Sequence, residues 1–238
     1  MSLILRPSGF PLCIGHRGAA GHAPENTLAS LEQAIALGVD LVEFDVRQSA
    51  DGALVVFHDE TVERTTNGAG KLEDFSLQAL RTLDAGGGER ILLLGEALAC
   101  LSGRAGAMIE MKIPGVAPQV CGAVDAIRFR GSVVYASFLH EELQKVSMMK
   151  PEAEVLALFE DVPEHLLAYV GTLPVTHVGL ALETVTSPLV QALQLDKKKV
   201  FVYTVDTSDD IVRIMEMRVD GIITNYPERL SGFFRNRV

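Results

Sequence analysis

Three acidic side chains lie near the ends of two apolar runs, where strands would turn from a protein core toward solvent. In the run LVEFDV, the two-residue period of a strand places Glu43 and Asp45 on one face. In the run AMIEMK, Glu110 shares a face with Lys112. Carboxylates about 7 Å apart on a buried strand repel each other unless a cation neutralises them or one takes up a proton. The pattern predicts an oxygen-rich site for a hard cation, Mg²⁺ or Ca²⁺ rather than Zn²⁺.

Two histidines close β-rich runs in a similar way. His16 follows LCIG and His58 follows LVVF, and a charged residue comes directly after each of them. A single histidine at a strand end is more often structural, and we assign that role to His22 and His177. Because imidazole titrates near neutral pH, His16 and His58 together can serve as general base and general acid in one turnover.

Two cations stand beside these groups in the sequence. Arg17 follows the first histidine and Lys112 follows the third carboxylate, and glycines around Arg17 allow the backbone to approach a ligand closely. Cations, metal-binding carboxylates and paired histidines together suit a phosphate ester. The alternative is that the carboxylates are ordinary ion-pair partners of Arg17 and Lys112, and the residues alone leave it open.

The elements that must position these groups alternate between short β-branched runs and helical patterns, which is typical of parallel strands with crossover helices. Eight such units in 238 residues predict an α/β fold, a closed (β/α)₈ TIM barrel with its active site at the carboxyl ends of the strands. An open doubly wound sheet is the alternative, but its GxGxxG motif after the first strand is absent. The predicted strands are Leu12–Ile14, Leu41–Val46, Ala107–Met111, Val133–Tyr135, Val155–Leu158, His177–Leu182, Val200–Val205 and Gly221–Thr224.

One segment, at about 59–94, breaks this alternation. It is rich in glycine and has little sustained periodicity. We interpret it as an insertion after the second strand and residues 1–238 as a single domain.

Composition limits the partners and the compartment. Acidic residues outnumber basic ones, 31 to 21, which argues against nucleic-acid binding and stable membrane association, since both need a positive field. The three cysteines form no CxxC pair, and neither a membrane span nor an export signal is visible. We therefore expect a reducing, cytoplasmic location, and nothing in the sequence indicates an oligomeric state.

The order of the motifs resembles that of the glycerophosphodiester phosphodiesterase family, over nearly the whole chain. The resemblance implies a TIM barrel with a small insertion after the second strand, and hydrolysis of glycerophosphodiesters to an alcohol and glycerol 3-phosphate. The matching motifs are HRG at 16–18, PENT at 24–27, ExD at 43–45, HD at 58–59, IEMK at 109–112, ASF at 136–138, VYTVDT at 202–207 and RVDGIITNYPE at 218–228.

The resemblance also implies roles for particular residues. The paired catalytic histidines fall on His16 and His58, and the phosphate-contacting cations on Arg17 and Lys112. A divalent cation, Mg²⁺ with Ca²⁺ or Mn²⁺ as alternatives, is implied as cofactor. The implied metal ligands are Glu43, Asp45 and Glu110.

Three positions depart from the family pattern. Tyr203 and Asp206 stand where many members carry tryptophan and asparagine, and Asn225 stands where aspartate is frequent. These changes leave the chemistry in place and concern the shape of the substrate pocket, which we expect Phe138 and Tyr203 to line.

Several alternatives stay open. The enzyme could act on lysophospholipids in the manner of a phospholipase D, or the barrel could bind phosphorylated ligands without turnover. Either histidine can be the acid, and the nucleophile can be water or the glycerol hydroxyl of the substrate. The alcohol of the diester is also open.

Overall fold

Eight parallel strands close into a barrel in the computed structural model, which describes residues 10–230. Ten strands are present in this range, and all but the third and fourth belong to the barrel. In chain order they are β1 (Leu12–Gly15), β2 (Leu41–Gln48), β3 (Leu54–Val56), β4 (Leu92–Leu93), β5 (Gly106–Met111), β6 (Val133–Ser137), β7 (Glu154–Phe159), β8 (His177–Ala181), β9 (Lys199–Tyr203) and β10 (Gly221–Thr224). Around the barrel the strands pair in the order β1, β2, β5, β6, β7, β8, β9 and β10, and β10 pairs with β1 to close the ring.

Within residues 10–230, all the helices but the second connect barrel strands and cover the outside. The helices are α1 (Leu28–Ala36), α2 (Leu77–Leu80), α3 (Leu94–Leu101), α4 (Ala117–Ile127), α5 (His140–Met149), α6 (Leu166–Thr172), α7 (Ser187–Leu195) and α8 (Ser208–Glu216), with a 3₁₀ turn at Leu72–Asp74. None of the helices in residues 10–230 is long and apolar enough to span a membrane. The predicted TIM barrel is confirmed, and each of the eight predicted strands matches a barrel strand to within two residues at either end.

The two faces of each barrel strand bury different side chains, as the period of two requires. On β2, Val42 and Phe44 point outward into the layer between strands and helices. Leu41 points inward and packs with Met108 and Phe201 in the barrel interior. The inward face of β2 becomes acidic toward its carboxyl end, so an apolar layer supports the charged mouth from below.

The segment between β2 and α3 leaves the barrel pattern. β3 pairs antiparallel with β2, and β4 pairs antiparallel with β3. This excursion has a small core of its own, including Val55, Val62 and Leu80. It carries His58, which therefore reaches the mouth from the excursion and not from a barrel strand. The single domain with an insertion at about 59–94 stays a prediction, and the departure from the barrel begins before residue 59.

Candidate active site

The three acidic residues singled out from the sequence lie together at the barrel mouth. Glu43 and Asp45 are on β2, Glu110 is on the adjacent β5, and the strand register places Asp45 beside Glu110. All three side chains are buried, and one oxygen of each lies within 4.8 Å of the others.

Burial of three carboxylates makes their ionisation interdependent. Burial, together with Asp45 and Glu110, raises the pKa of Glu43 well above its usual range. Burial and Asp45 likewise raise the pKa of Glu110 to about 7. Burial opposes ionisation of Asp45 too, but Lys112, Arg17 and His58 outweigh it and lower the pKa of Asp45 to about 2. One carboxylate is thus held ionised while its two neighbours favour protonation in the absence of a further cation.

A divalent cation fits this cluster. Glu43 Oε1 is buried and has no hydrogen-bond partner within residues 10–230. An unsatisfied buried carboxylate oxygen is costly unless a cation or donor meets it. Three carboxylates offer the all-oxygen donor set that hard divalent cations prefer. Bound metal would displace protons from Glu43 and Glu110, since ligands must be deprotonated.

Arg17 and Lys112 each lie beside one of the two carboxylate oxygens of Asp45. Arg17 Nε lies 3.4 Å from Asp45 Oδ2, and Lys112 Nζ lies 3.1 Å from Asp45 Oδ1. Lys112 also donates to Glu110, and the backbone N–H of Arg17 donates to Glu43 Oε2 at 2.8 Å. The nearby carboxylates raise the pKa of both cations despite their burial, so both stay charged.

Asn26 is a site residue that the sequence analysis missed, although it stands inside PENT. Its Nδ2 donates to Asp45 Oδ2 at 2.8 Å, and its Oδ1 accepts from the Asp45 backbone N–H. The backbone of Asn26 has φ +60°, a conformation that asparagine tolerates better than most residues. Thr27 then caps α1 by accepting from Ser30 N. The start of α1 and the orientation of Asp45 are therefore fixed by the same turn.

His16 is oriented through an amide. Its Nδ1 lies 2.8 Å from Asn225 Oδ1, and Asn225 Nδ2 donates to Asp206 Oδ2 at 2.6 Å. Because a carboxylate only accepts, Asp206 fixes the amide with its oxygen toward His16. A neutral His16 then carries its proton on Nδ1 and its lone pair on Nε2. Burial and Arg17 lower the pKa of His16 to about 4, against the opposing effect of Asn225.

Two of the three departures from the family pattern, Asp206 and Asn225, are therefore in contact with each other. Asp206 and Asn225 are hydrogen-bonded to each other by side chain and by the Asn225 backbone N–H, which donates to Asp206 Oδ1 at 2.8 Å. Thr224 Oγ1 donates to the same oxygen. The two positions lie 19 residues apart in the sequence, and only the fold brings their side chains together.

His58 is oriented by a carboxylate instead. Its Nδ1 lies 2.6 Å from Asp59 Oδ1, which again leaves Nε2 for chemistry. Burial lowers the pKa of His58, with Lys112 and Arg17 acting in the same direction and Asp45 and Asp59 opposing them.

The two aromatic residues predicted to line the pocket are in contact. The rings of Phe138 and Tyr203 meet edge to face with centroids 6.1 Å apart, and Lys112 Nζ lies 5.7 Å from the Phe138 centroid. Phe138 is 39% exposed. Burial and the Glu160 and Glu110 carboxylates raise the pKa of Tyr203, so its hydroxyl stays protonated.

Comparison with known proteins identifies the family. A model of the glycerophosphoryl diester phosphodiesterase family matches residues 16–229. The chain belongs to this family. It is 34% identical to a glycerophosphodiester phosphodiesterase of Caldanaerobacter subterraneus over 94% of this chain and 98% of that protein. It is 32% identical to a glycerophosphodiester phosphodiesterase of Bacillus altitudinis over 90% of this chain and 94% of the other.

Solved structures support the same family. A phosphodiesterase of Oleispira antarctica in complex with the product sn-glycerol-3-phosphate has a TM-score of 0.88 and 27% identity, covering 95% of this chain and 97% of the other. A glycerophosphodiester phosphodiesterase of Agrobacterium tumefaciens has a TM-score of 0.80 and 30% identity, covering 94% and 100%. The protein is thus an enzyme of the phosphoric diester hydrolase class, as the sequence motifs indicated.

Exchanging the residue types at positions 206 and 225 tests whether the Asp206–Asn225 contact orients His16. Asn225→Asp alone places two carboxylates in contact, and Asp206→Asn alone leaves two amide donors facing each other. We expect each single change to lower kcat/KM for diester hydrolysis about 10- to 100-fold, because the half-buried amide that orients His16 loses its partner and an acid–base group is worth about 100-fold or more only when it is oriented.

The double variant Asp206→Asn with Asn225→Asp restores every donor–acceptor pair and should recover most of the lost rate. The four proteins are compared by kcat/KM and by thermal unfolding. If the double variant shows the summed loss of the two single variants, the side-chain contact does not orient His16.

Proposed function

We propose that this enzyme hydrolyses glycerophosphodiesters to an alcohol and glycerol 3-phosphate, with a divalent cation held by Glu43, Asp45 and Glu110. His16 and His58 act as the acid–base pair. The observation that carries the proposal is the set of three buried carboxylate oxygens within 4.8 Å of one another. The sn-glycerol-3-phosphate in the Oleispira antarctica relative supports the substrate class.

The charge balance at the mouth supports a role for metal. Without metal, burial and mutual repulsion favour protons on Glu43 and Glu110. With a divalent cation bound and all three carboxylates ionised, these charges and those of Arg17 and Lys112 sum to +1, which attracts an anionic phosphodiester. When bound at Glu43, Asp45 and Glu110, the cation would polarise the phosphoryl group and neutralise charge on its oxygens. We propose Mg²⁺, with Ca²⁺ and Mn²⁺ as alternatives, because the donors are all oxygens.

Arg17 and Lys112 are proposed to hold the phosphate. Both have fixed positive charge at the site, and their removal would leave negative charge on the phosphoryl oxygens without a protein donor. Phe138 and Tyr203 are proposed to line the part of the pocket beside Lys112. A cytoplasmic location stays a prediction from the cysteine pattern.

The partners of the two histidines favour different roles. His16 contacts a neutral amide and has a pKa of about 4, which suits a base that is unprotonated before reaction. His58 contacts the Asp59 carboxylate, which opposes the lowering of the His58 pKa by burial and so favours the imidazolium form that a general acid needs. We therefore propose that His16 Nε2 accepts the proton of the nucleophile and that His58 Nε2 protonates the departing alkoxide.

The proposed nucleophile is the glycerol hydroxyl of the substrate. Its attack on phosphorus forms a cyclic phosphate as the alkoxide leaves, and water then opens the ring with the two histidines in exchanged roles. Intramolecular attack gains from proximity, which explains a preference for glycerol esters. The alternative is direct attack by water, which forms no cyclic phosphate.

Product release and metal dependence can be tested in one assay. Purified enzyme should release glycerol 3-phosphate from glycerophosphocholine, and removal of metal by chelation followed by desalting should abolish the release. Added Mg²⁺, Mn²⁺ or Ca²⁺ should restore it. The measurement is a coupled assay for glycerol 3-phosphate.

Two controls separate the remaining alternatives. Faster hydrolysis of lysophosphatidylcholine than of glycerophosphocholine would favour the phospholipase D-type activity. Binding of glycerol 3-phosphate without turnover of either substrate would favour a non-catalytic binding protein. Full activity in the metal-free protein would contradict the metal proposal.

Substrates with different leaving groups separate the roles of His16 and His58. Glycerophosphocholine needs a general acid, whereas a glycerol p-nitrophenyl phosphodiester has a leaving group of low pKa and does not. His58→Ala should lose about 100-fold or more on glycerophosphocholine and recover much of that loss on the nitrophenyl ester. His16→Ala should be slow on both.

The exposed His165 supplies the control, since His165→Ala should leave both rates unchanged. Recovery of His16→Ala in place of His58→Ala would reverse the assignment. Equal losses on both substrates for both variants would mean that the two histidines do not divide acid and base catalysis.

A further inference from the structure

Arg64 lies on the excursion and joins two parts of the active site that are distant in sequence. Its Nη1 and Nη2 donate to Glu25 Oε2 and Oε1 at 2.8 and 2.7 Å. Its Nε and Nη2 donate to Asp59 Oδ2 and Oδ1 at 2.6 and 2.9 Å. A single guanidinium therefore binds two carboxylates by two bonds each, a geometry that the planar fork of arginine allows and lysine does not.

The two carboxylates that Arg64 holds are each bonded to an active-site residue. Glu25 Oε1 accepts from Arg17 Nη1 at 2.6 Å. Asp59 Oδ1 lies 2.6 Å from His58 Nδ1. Arg64 itself touches neither of these residues in any hydrogen bond or ion pair described for residues 10–230.

The pKa shifts of Asp59 and Glu25 are consistent with Arg64 bridging the two carboxylates. The hydrogen bond from Arg64 lowers the pKa of Asp59, and Arg64 with Arg17 lowers the pKa of Glu25 in spite of its burial. Without the guanidinium, Asp59 loses both bonds from Arg64 and keeps, within the described part of the chain, only the one to His58 Nδ1, so its rotamer is no longer fixed from the excursion. Glu25 is then held by Arg17 alone.

We propose that Arg64 is a positioning residue: through Asp59 it fixes the ring of His58, and through Glu25 it fixes the guanidinium of Arg17. The inference rests on the proposed function for the roles of His58 and Arg17. Arg64 thereby couples the excursion to the PENT turn. As a result, His58, the proton donor, and Arg17, the phosphate-binding cation, keep a constant separation.

A purely structural role for Arg64 predicts that Arg64→Ala lowers the melting temperature more than loss of a comparable exposed arginine does. The Arg64 side chain is 48% exposed, and exposed ion pairs contribute little to stability. Arg104 offers a matched control, because it binds Glu32 by two bonds of 2.7 and 2.6 Å at similar exposure. Arg104 precedes β5 and so lies at the amino end of the barrel, opposite the mouth.

The test compares Arg64→Ala, Arg64→Lys and Arg104→Ala. Arg64→Ala should lower kcat/KM on glycerophosphocholine about 100-fold, the scale of an ångström-sized misplacement of catalytic groups, with a change in melting temperature no larger than in Arg104→Ala. Arg64→Lys should recover little, because an ammonium cannot bind both carboxylates in the same geometry. Arg104→Ala should keep the wild-type rate.

Chemical rescue isolates the missing group. Arg64 borders a cavity of about 500 Å³ that is also lined by Glu25, Thr65 and Asp84, so guanidinium ion can enter the space left by truncation. Guanidinium at non-denaturing concentration should restore Arg64→Ala about tenfold or more and should have no such effect on the wild type. Wild-type kcat/KM in Arg64→Ala would overturn the proposal, as would a loss that guanidinium does not restore.

A spectroscopic measurement distinguishes failure of this proposal from failure of the proposed function. The His58 Nδ1–H bonded to Asp59 should give a downfield proton resonance, assigned by its absence in His58→Ala. The resonance should broaden or vanish in Arg64→Ala and return with guanidinium, whatever the substrate is. An unchanged resonance in Arg64→Ala would overturn the positioning role. A wild type that releases no glycerol 3-phosphate would instead overturn the proposed function.

Discussion

Burial of three carboxylates on two adjacent strands is the constraint on which the rest of the site depends. Glu43, Asp45 and Glu110 project into the barrel where water is largely excluded, and their mutual repulsion opposes folding unless positive charge is supplied. Arg17 and Lys112 supply two charges, which is one fewer than the carboxylates. The remaining deficit is met by protons on Glu43 and Glu110 or by a bound divalent cation, and the cation makes the site positive and so favours an anionic substrate. The chemistry of the mouth thus follows from electrostatic balance.

The barrel and the excursion contribute differently to this balance. Strand register fixes the relative positions of Asp45 and Glu110, because hydrogen-bonded neighbours in a closed sheet cannot shift independently. The loop residues Arg17 and Asn26 are held by bonds to the strand carboxylates themselves. The backbone carbonyl of His58 accepts from Arg47 Nε of β2 at 2.7 Å, but its imidazole is held by Asp59, and through Asp59 by Arg64, in the excursion. The acid–base pair therefore combines one residue on the barrel with one on a smaller, separately packed unit.

Much of this arrangement could be predicted from the sequence because it rests on local patterns. The period of two in LVEFDV placed Glu43 and Asp45 on one face, and the alternation of strands and helices indicated the barrel. The Asp206–Asn225–His16 contact could not be predicted in the same way, since 209 positions separate His16 from Asn225. The roles of Asn26 and Arg64 were also missed, although Asn26 stands within the PENT motif. Their functions depend on which carboxylates they meet, and residue type alone does not specify that.

The most direct test of the central claim is the binding of Mn²⁺ to metal-free protein, followed by electron paramagnetic resonance. We expect one Mn²⁺ per chain, and each of Glu43→Gln, Asp45→Asn and Glu110→Gln should weaken its binding by about 100-fold or more, at least the effect of losing an outer-shell partner. Asp40→Asn, which alters another buried carboxylate at the amino end of β2, should bind Mn²⁺ as the wild type does. Wild-type affinity in all three mouth variants would contradict the account.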